Sequence, residues 1–198
     1  RVAASIAKYY VLKGRDYLSD CLHCNPGVPA SKAVPDDHLR PNQLYALTLG
    51  AFKDHRRSRL ILDACSKLLI PGAIRSLADQ KTDYALAIYS SSGTLLNDPV
   101  HPYRGRYEGD EDTQRKPAYH NGTAWTWQFP AYCEAYCMIY GKAGRRTARS
   151  LLSSCSLIMN DGCISQLAEI LDGDYPHTQR GCGAQAWGIS EYYRVWKL

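Results

Sequence analysis

The sequence predicts an all-α protein built as an α/α toroid, in which helical hairpins stack around a centre and functional loops gather at one end. Three observations carry this. Apolar residues recur at helical spacing in several separate stretches. The connections between those stretches are alternately short and long. The long connections hold the Tyr, Trp, His and Asp residues, and polar loops on a helical scaffold are where such proteins place chemistry.

The first helix is predicted over residues 3–12, where Ile6, Tyr9, Tyr10 and Lys13 share helical spacing. A short further piece falls at 17–22. Residues 25–37 contain three prolines and one glycine, which exclude a regular element. Arg40-Pro41-Asn42-Gln43 then introduces a helix over 44–52, and Pro41 suits its first turn. Arg40 and Asn42 read either as capping and surface charge or as polar groups lining a site at a helix start. Another helix is expected over 60–69, with Ile61, Ala64, Cys65, Leu68 and Leu69 on one face, and Pro71-Gly72 stops it. Residues 72–89 are ambiguous: a short turn near Ile74, then either a short strand or a buried helix over 84–89. Residues 90–116 form a long polar loop, a length that is uncommon unless functional or disordered.

Tyr119-His120-Asn121-Gly122-Thr123-Ala124-Trp125-Thr126-Trp127 is expected to open the next helix. Trp125, Phe129, Tyr132, Tyr136 and Tyr140 make an aromatic stripe, read as core for its Phe and Tyr members. Pro130 is expected to kink or restart the helix. An amphipathic helix follows over 146–160, with Ala148, Leu151, Leu152, Cys155 and Ile158 on one face. Asp161-Gly162 ends it, and the last helix is predicted over 184–196. No domain boundary, coiled coil, phosphate-binding glycine loop or low-complexity tract is visible, so residues 1–198 read as a single region.

Between the last two helices lies the densest polar stretch of the chain. Glu169, Asp172, Asp174, His177 and Arg180 fall within twelve residues, punctuated by Gly173, Pro176 and Gly181. Gly and Pro at that density make a shaped loop. The plain reading is a solvated turn; the functional reading is an active-site loop.

Composition narrows the function classes. The net charge of +5 is mild for 198 residues, and the arginines are scattered apart from His55-Arg56-Arg57 and Arg145-Arg146. Nucleic-acid binding would call for a basic stripe on one face. No apolar run is long enough to span a membrane, and no hydrophobic leader opens the chain. The 15 Tyr and 4 Trp against 2 Phe suit a wet, sugar-lined cleft, although amphipathic packing uses the same residues. Of the 8 Cys, Cys21-Leu22-His23-Cys24 is a lone C-x-x-C, whereas a structural zinc site wants four ligands. Cys133 and Cys137 read as buried thiols. Neither a metal nor a cofactor is expected.

Four segments occur in a familiar order: Arg40-Pro41-Asn42-Gln43; the Tyr119 to Trp127 segment; Glu169-Ile170-Leu171-Asp172-Gly173-Asp174 with Pro176-His177 and Arg180-Gly181-Cys182; and Ala184-Gln185-Ala186-Trp187. Together they resemble the C-terminal catalytic region of glycogen debranching enzymes of the amylo-α-1,6-glucosidase type. The resemblance runs from about residue 40 to the C-terminus. It implies an (α/α)6 barrel, a cytoplasmic location, and hydrolysis of α-1,6-linked glucose in an α-glucan or branched oligosaccharide with inversion.

It further implies Glu169 as general base and an acid aspartate in an upstream T-W-M-D segment. No such segment is present, and only about half of a toroid's helices are predicted. The chain therefore reads as the C-terminal half of such a catalytic domain, with the missing N-terminal part as its partner. Inverting hydrolysis needs two carboxyls about 6.5–9.5 Å apart, with a water held by the base. Asp172, His177 and Arg180 are placed to orient that glutamate. Trp125 and Trp127 offer ring faces for a pyranose, and helical spacing would turn them apart, with Trp125 toward the sugar. His120 and Asn121 offer hydrogen bonds to hydroxyls. Arg40, Asn42 and Gln43 bind substrate or brace the loop. Two alternatives stand beside this reading: a non-catalytic carbohydrate-binding helical module, and another α/α-toroid glycosidase of trehalase or invertase type.

Overall fold

The computed structural model describes residues 1–198. It is a mixed α and β structure with two antiparallel sheets, one of two strands and one of five. The expected all-α toroid is thereby overturned. The reason is local. The strands are two or three residues long, too short for a period of two to show, and the pairings that build the middle of the large sheet, β4 with β5 and β5 with β6, join segments far apart in sequence.

Helix α1 spans Val2–Tyr9 and buries no residue fully. Strands β1 (Leu22–His23) and β2 (Val34–Pro35) pair as a small hairpin, Leu22 opposite Pro35 and His23 opposite Val34. Pro41 opens a single 3-10 turn that runs into α2 (Leu44–Thr48), four residues shorter than predicted. Helix α3 (His55–Ser66) starts earlier than its apolar face because Asp54 caps it, accepting from the Arg57 amide at 3.0 Å. Strands β3 (Leu69–Ile70) and β4 (Ala73–Arg75) form a hairpin across Pro71-Gly72. The long connection to residue 116 holds isolated bridges and one π-helical turn, Glu111–Arg115.

A three-residue α4 (Lys116–Ala118) leads into β5 (Thr123–Trp125), where a helix was expected. Helix α5 (Phe129–Ser153) carries Pro130 in its first turn, so the proline starts the helix and does not kink it. The interruption falls instead at Gly141, whose φ of 58° suits a residue without Cβ. The helix predicted over 146–160 is the end of α5 plus α6 (Cys155–Met159). Strands β6 (Ile170–Asp172) and β7 (Gln179–Arg180) precede α7 (Ala186–Trp196). The large sheet runs β3-β4-β5-β6-β7 in order.

The core lies where α5 packs against α2, α3 and α7. It joins Leu44, Ile61, Leu62, Phe129, Tyr132 and Leu152 to the sheet residues Ile74 and Leu171. Burying side chains of this size contributes about 1.5–3 kcal/mol each. Phe129 and Tyr132 of the aromatic stripe are core, as predicted, whereas Tyr140 reaches the surface. No helix is long and apolar enough to cross a membrane.

Candidate active site

Strand β5 is the centre of the sheet, and its pairing with β6 brings two distant motifs side by side. Their register sets Trp125 opposite Ile170 and Thr123 opposite Asp172. The residue just before β6 is Glu169; those just after β5 are Thr126 and Trp127. Because Trp125 ends a strand and Trp127 follows in a turn, the helical argument for their opposite facing does not apply.

Glu169 is partly buried and held at both carboxylate oxygens. The Tyr119 hydroxyl donates to Oε1 in a short hydrogen bond, and the Cys182 amide donates to Oε2 at 3.0 Å. The Glu169 amide in turn donates to the Cys182 carbonyl at 2.8 Å. Gly181 makes this closeness possible: its φ is 69°, and a Cβ there would stand 2.5 Å from Glu169 Oε2. Burial and the Glu169 carboxylate raise the Tyr119 pKa far above its ordinary value, so the phenol stays a donor.

Trp125 and His120, which this tyrosine packs against, line an aromatic cleft of about 600 Å³ together with Tyr45, Trp127 and Trp187. The Tyr119 ring stands edge-on to Trp125 at 5.3 Å, and His120 lies nearly parallel to Trp125 at 5.5 Å. Trp127 stacks on Trp187 at 4.7 Å and faces Tyr45 at 6.1 Å. Trp125 is 5% exposed, while Trp127 is partly buried and Trp187 is 42% exposed. The Trp127 indole Nε1 is buried and has no partner. Desolvation of its ring, and then the Arg40 charge, lower the His120 pKa, favouring the neutral imidazole.

The polar wall of the cleft is built from the turn before α2. Arg40 donates to the carbonyls of Ser76 at 3.1 Å and His120 at 2.6 Å, and to Asn121 Oδ1 at 2.8 Å. It also pairs with Asp20 at 3.3 Å, and burial lowers its pKa. Asn42 is exposed in the cleft between Asp20 at 3.1 Å and Gln128 at 3.0 Å. Gln43 and Asn121 are buried behind this wall. Gln43 accepts from the Leu18 amide at 2.9 Å and donates to the Arg40 carbonyl at 2.9 Å.

The remaining sequence candidates form a second group on the β6–β7 hairpin. Asp172 is fully buried and accepts from Arg180 at 3.0 Å and from the Tyr107 amide at 3.1 Å. The Arg180 pKa is raised, first by that hydrogen bond. His177, with φ of 60°, sets its Nδ1 at 3.1 Å from the Asp172 carbonyl oxygen. It lines a different cavity with Pro71, Leu157 and Tyr175. The structure thus gathers Arg40, Asn42, His120 and Trp125 in one cleft, keeps Asp172, His177 and Arg180 on the hairpin, and sets Glu169 between the two groups.

A family model for amylo-alpha-1,6-glucosidase matches residues 1–194. The chain belongs to the amylo-alpha-1,6-glucosidase family. It is accordingly a region of a glycoside hydrolase of the debranching type, and a polysaccharide is its class of substrate. No curated protein matches the sequence. In this glucosidase-family chain, Tyr119, Trp187, Tyr45 and Gln128 were missed as site residues. Tyr119 and Trp187 stand inside the recognised motifs, which was the available signal. Tyr45 and Gln128 carried none, because only the packing of α2 against α5 brings them to the cleft.

Proposed function

We propose that this chain supplies the general base and most of the sugar-contacting surface for inverting hydrolysis of α-1,6-linked glucose. The observation that carries the proposal is the Glu169 carboxylate. It is fixed by the Cys182 amide and by Tyr119, whose ring stands against Trp125 of the tryptophan-lined cleft. A carboxylate oxygen has two lone pairs, so each oxygen of Glu169 keeps one for a water after these bonds are made. Glu169 takes a proton from that water as the oxygen attacks the anomeric carbon. The bond to the 6-oxygen of the branch point breaks as an acid protonates it. That acid comes from outside residues 1–198.

In this reading the glucose ring rests on the tryptophans of the cleft, with Trp125 as its floor and Trp127 as an added contact. His120, as neutral imidazole, and Asn42 bind further hydroxyls. Arg40, Gln43 and Asn121 hold the wall. Asp172, Arg180 and His177 keep the hairpin in the shape that presents Glu169.

The stereochemistry of the product tests the reaction class. An inverting enzyme acting on an α-1,6-linked glucose releases β-glucose first. Proton NMR of the intact enzyme with a branched oligosaccharide should show the β-anomeric signal rising before mutarotation. An α-anomer formed first would rule out direct displacement by a water held on Glu169, and with it inversion.

A further inference from the structure

We propose that Cys21, His23 and Asp36 form a binding site for a divalent cation of the zinc class, at the small hairpin and away from the glutamate. The hairpin geometry puts the three together. Cys21 immediately precedes β1 and stands two residues before His23 in extended chain, so the two share a face. The pairing of Leu22 with Pro35 continues to set Cys21 opposite Asp36, whose amide donates to the Cys21 carbonyl at 3.0 Å. The three ligand atoms lie within 4.8 Å of one another.

The separations fit a common centre. Cys21 Sγ is 3.1 Å from His23 Nε2 and 3.8 Å from Asp36 Oδ2; His23 Nε2 is 2.9 Å from Asp36 Oδ2. Tetrahedral bonds of zinc to sulfur, nitrogen and oxygen require ligand separations of roughly 3.4–3.6 Å. Each observed distance is within about half an ångström of that. A thiol nucleophile relayed by His and Asp is a poorer match. Such a triad needs the carboxylate on the other ring nitrogen, whereas both Sγ and Oδ2 approach Nε2 here.

Outer contacts hold the ligands in place. Asp36 is 5% exposed, and its other oxygen, Oδ1, accepts from the His38 amide at 2.9 Å and from His38 Nδ1. That leaves Oδ2 directed at the cation. The His23 ring lies flat on Tyr84, with centroids 4.0 Å apart and planes 1° apart. Partners of this kind orient ligands and raise affinity. Three protein ligands leave the fourth position to water. On binding, the Cys21 thiol loses its proton to solvent and a metal–thiolate bond forms. The neighbour of Cys21 is Asp20, which holds Arg40 and Asn42, so the cation would brace the polar wall of the cleft.

The test uses the intact protein, stripped with chelator and titrated with Co²⁺ and then Zn²⁺. Binding should produce a thiolate-to-cobalt charge-transfer band. Cys21→Ala should abolish that band and weaken zinc affinity by about 100-fold or more, beyond what loss of an outer partner costs. Cys163→Ala and Cys182→Ala, which remove exposed thiols elsewhere, should leave the band intact. A measurement on the unmutated protein covers a variant that fails to fold. Zn²⁺ should protect Cys21 from alkylation, read by peptide mass spectrometry, while Cys163 and Cys182 stay reactive. Undiminished metal binding in Cys21→Ala, or equal alkylation of Cys21 with and without Zn²⁺, overturns the proposal. So does a Cys21–Cys24 disulfide that persists under reducing conditions.

Discussion

Tyr119 touches both halves of the candidate active site: its hydroxyl donates to Glu169, and its ring stands edge-on to Trp125 at 5.3 Å. Through this one side chain the position of the base is tied to the position of the sugar platform. Replacing Tyr119 with Phe keeps the ring and removes the hydrogen bond. A hydrogen bond to a charged group is worth about 1.5–3 kcal/mol. Tyr119→Phe should therefore lower kcat by roughly 10–100-fold with little change in substrate affinity. Steady-state kinetics on a branched oligosaccharide checks this, and an unchanged kcat would show that the tyrosine only packs.

The two tryptophans should separate by their burial. Trp125 is nearly fully buried on β5, and removing a buried Trp costs about 3–5 kcal/mol, so Trp125→Ala should melt much lower and bind sugar poorly. Trp127 is partly buried with an idle Nε1. Trp127→Ala should lose saccharide affinity with a smaller change in melting temperature. Calorimetric titration and thermal melts on both variants make the comparison. Normal affinity in Trp127→Ala would remove that ring from the sugar surface.

His120 sets a pH dependence. Its pKa is lowered in the folded protein, first by desolvation and then by Arg40. The folded state therefore binds fewer protons than the unfolded state between the lowered value and the ordinary value near 6.5. Stability from this residue is full above the ordinary value and is lost as pH falls through that window. Melting temperatures measured against pH should fall less steeply there in His120→Gln than in the unmutated protein. Parallel curves for the two would place His120 in ordinary solvent.

Part of this structure was legible in the sequence. The 61, 64, 65 spacing located α3, and the Ala184-Gln185-Ala186-Trp187 segment located the start of α7 to within two residues. The Gly- and Pro-rich stretch after Glu169 reads as a loop between helices, but only residues 173–178 are loop: Ile170–Asp172 and Gln179–Arg180 are paired strands of the sheet. The sheet was not legible. Thr123-Ala124-Trp125 is strand because it pairs with Ile170-Leu171-Asp172, nearly fifty residues away, and nothing within three residues records such pairing. The same distance hid the bond from Tyr119 to Glu169. Arg40 and Asn121 were legible as polar residues near motifs. Their bond to each other across 81 positions is a product of the fold.

The most direct measurement is single-turnover hydrolysis by Glu169→Gln in the intact enzyme, set beside its saccharide affinity. The amide keeps the shape and the hydrogen-bonding reach of the side chain and loses the basicity. A positioned general base contributes about 10²–10⁴-fold. Turnover should fall by that factor while binding of a branched oligosaccharide stays within about twofold of the unmutated enzyme. Near-normal turnover would contradict the assignment of Glu169 and move the base elsewhere, with Asp174, held by Tyr103, as the next carboxylate to test.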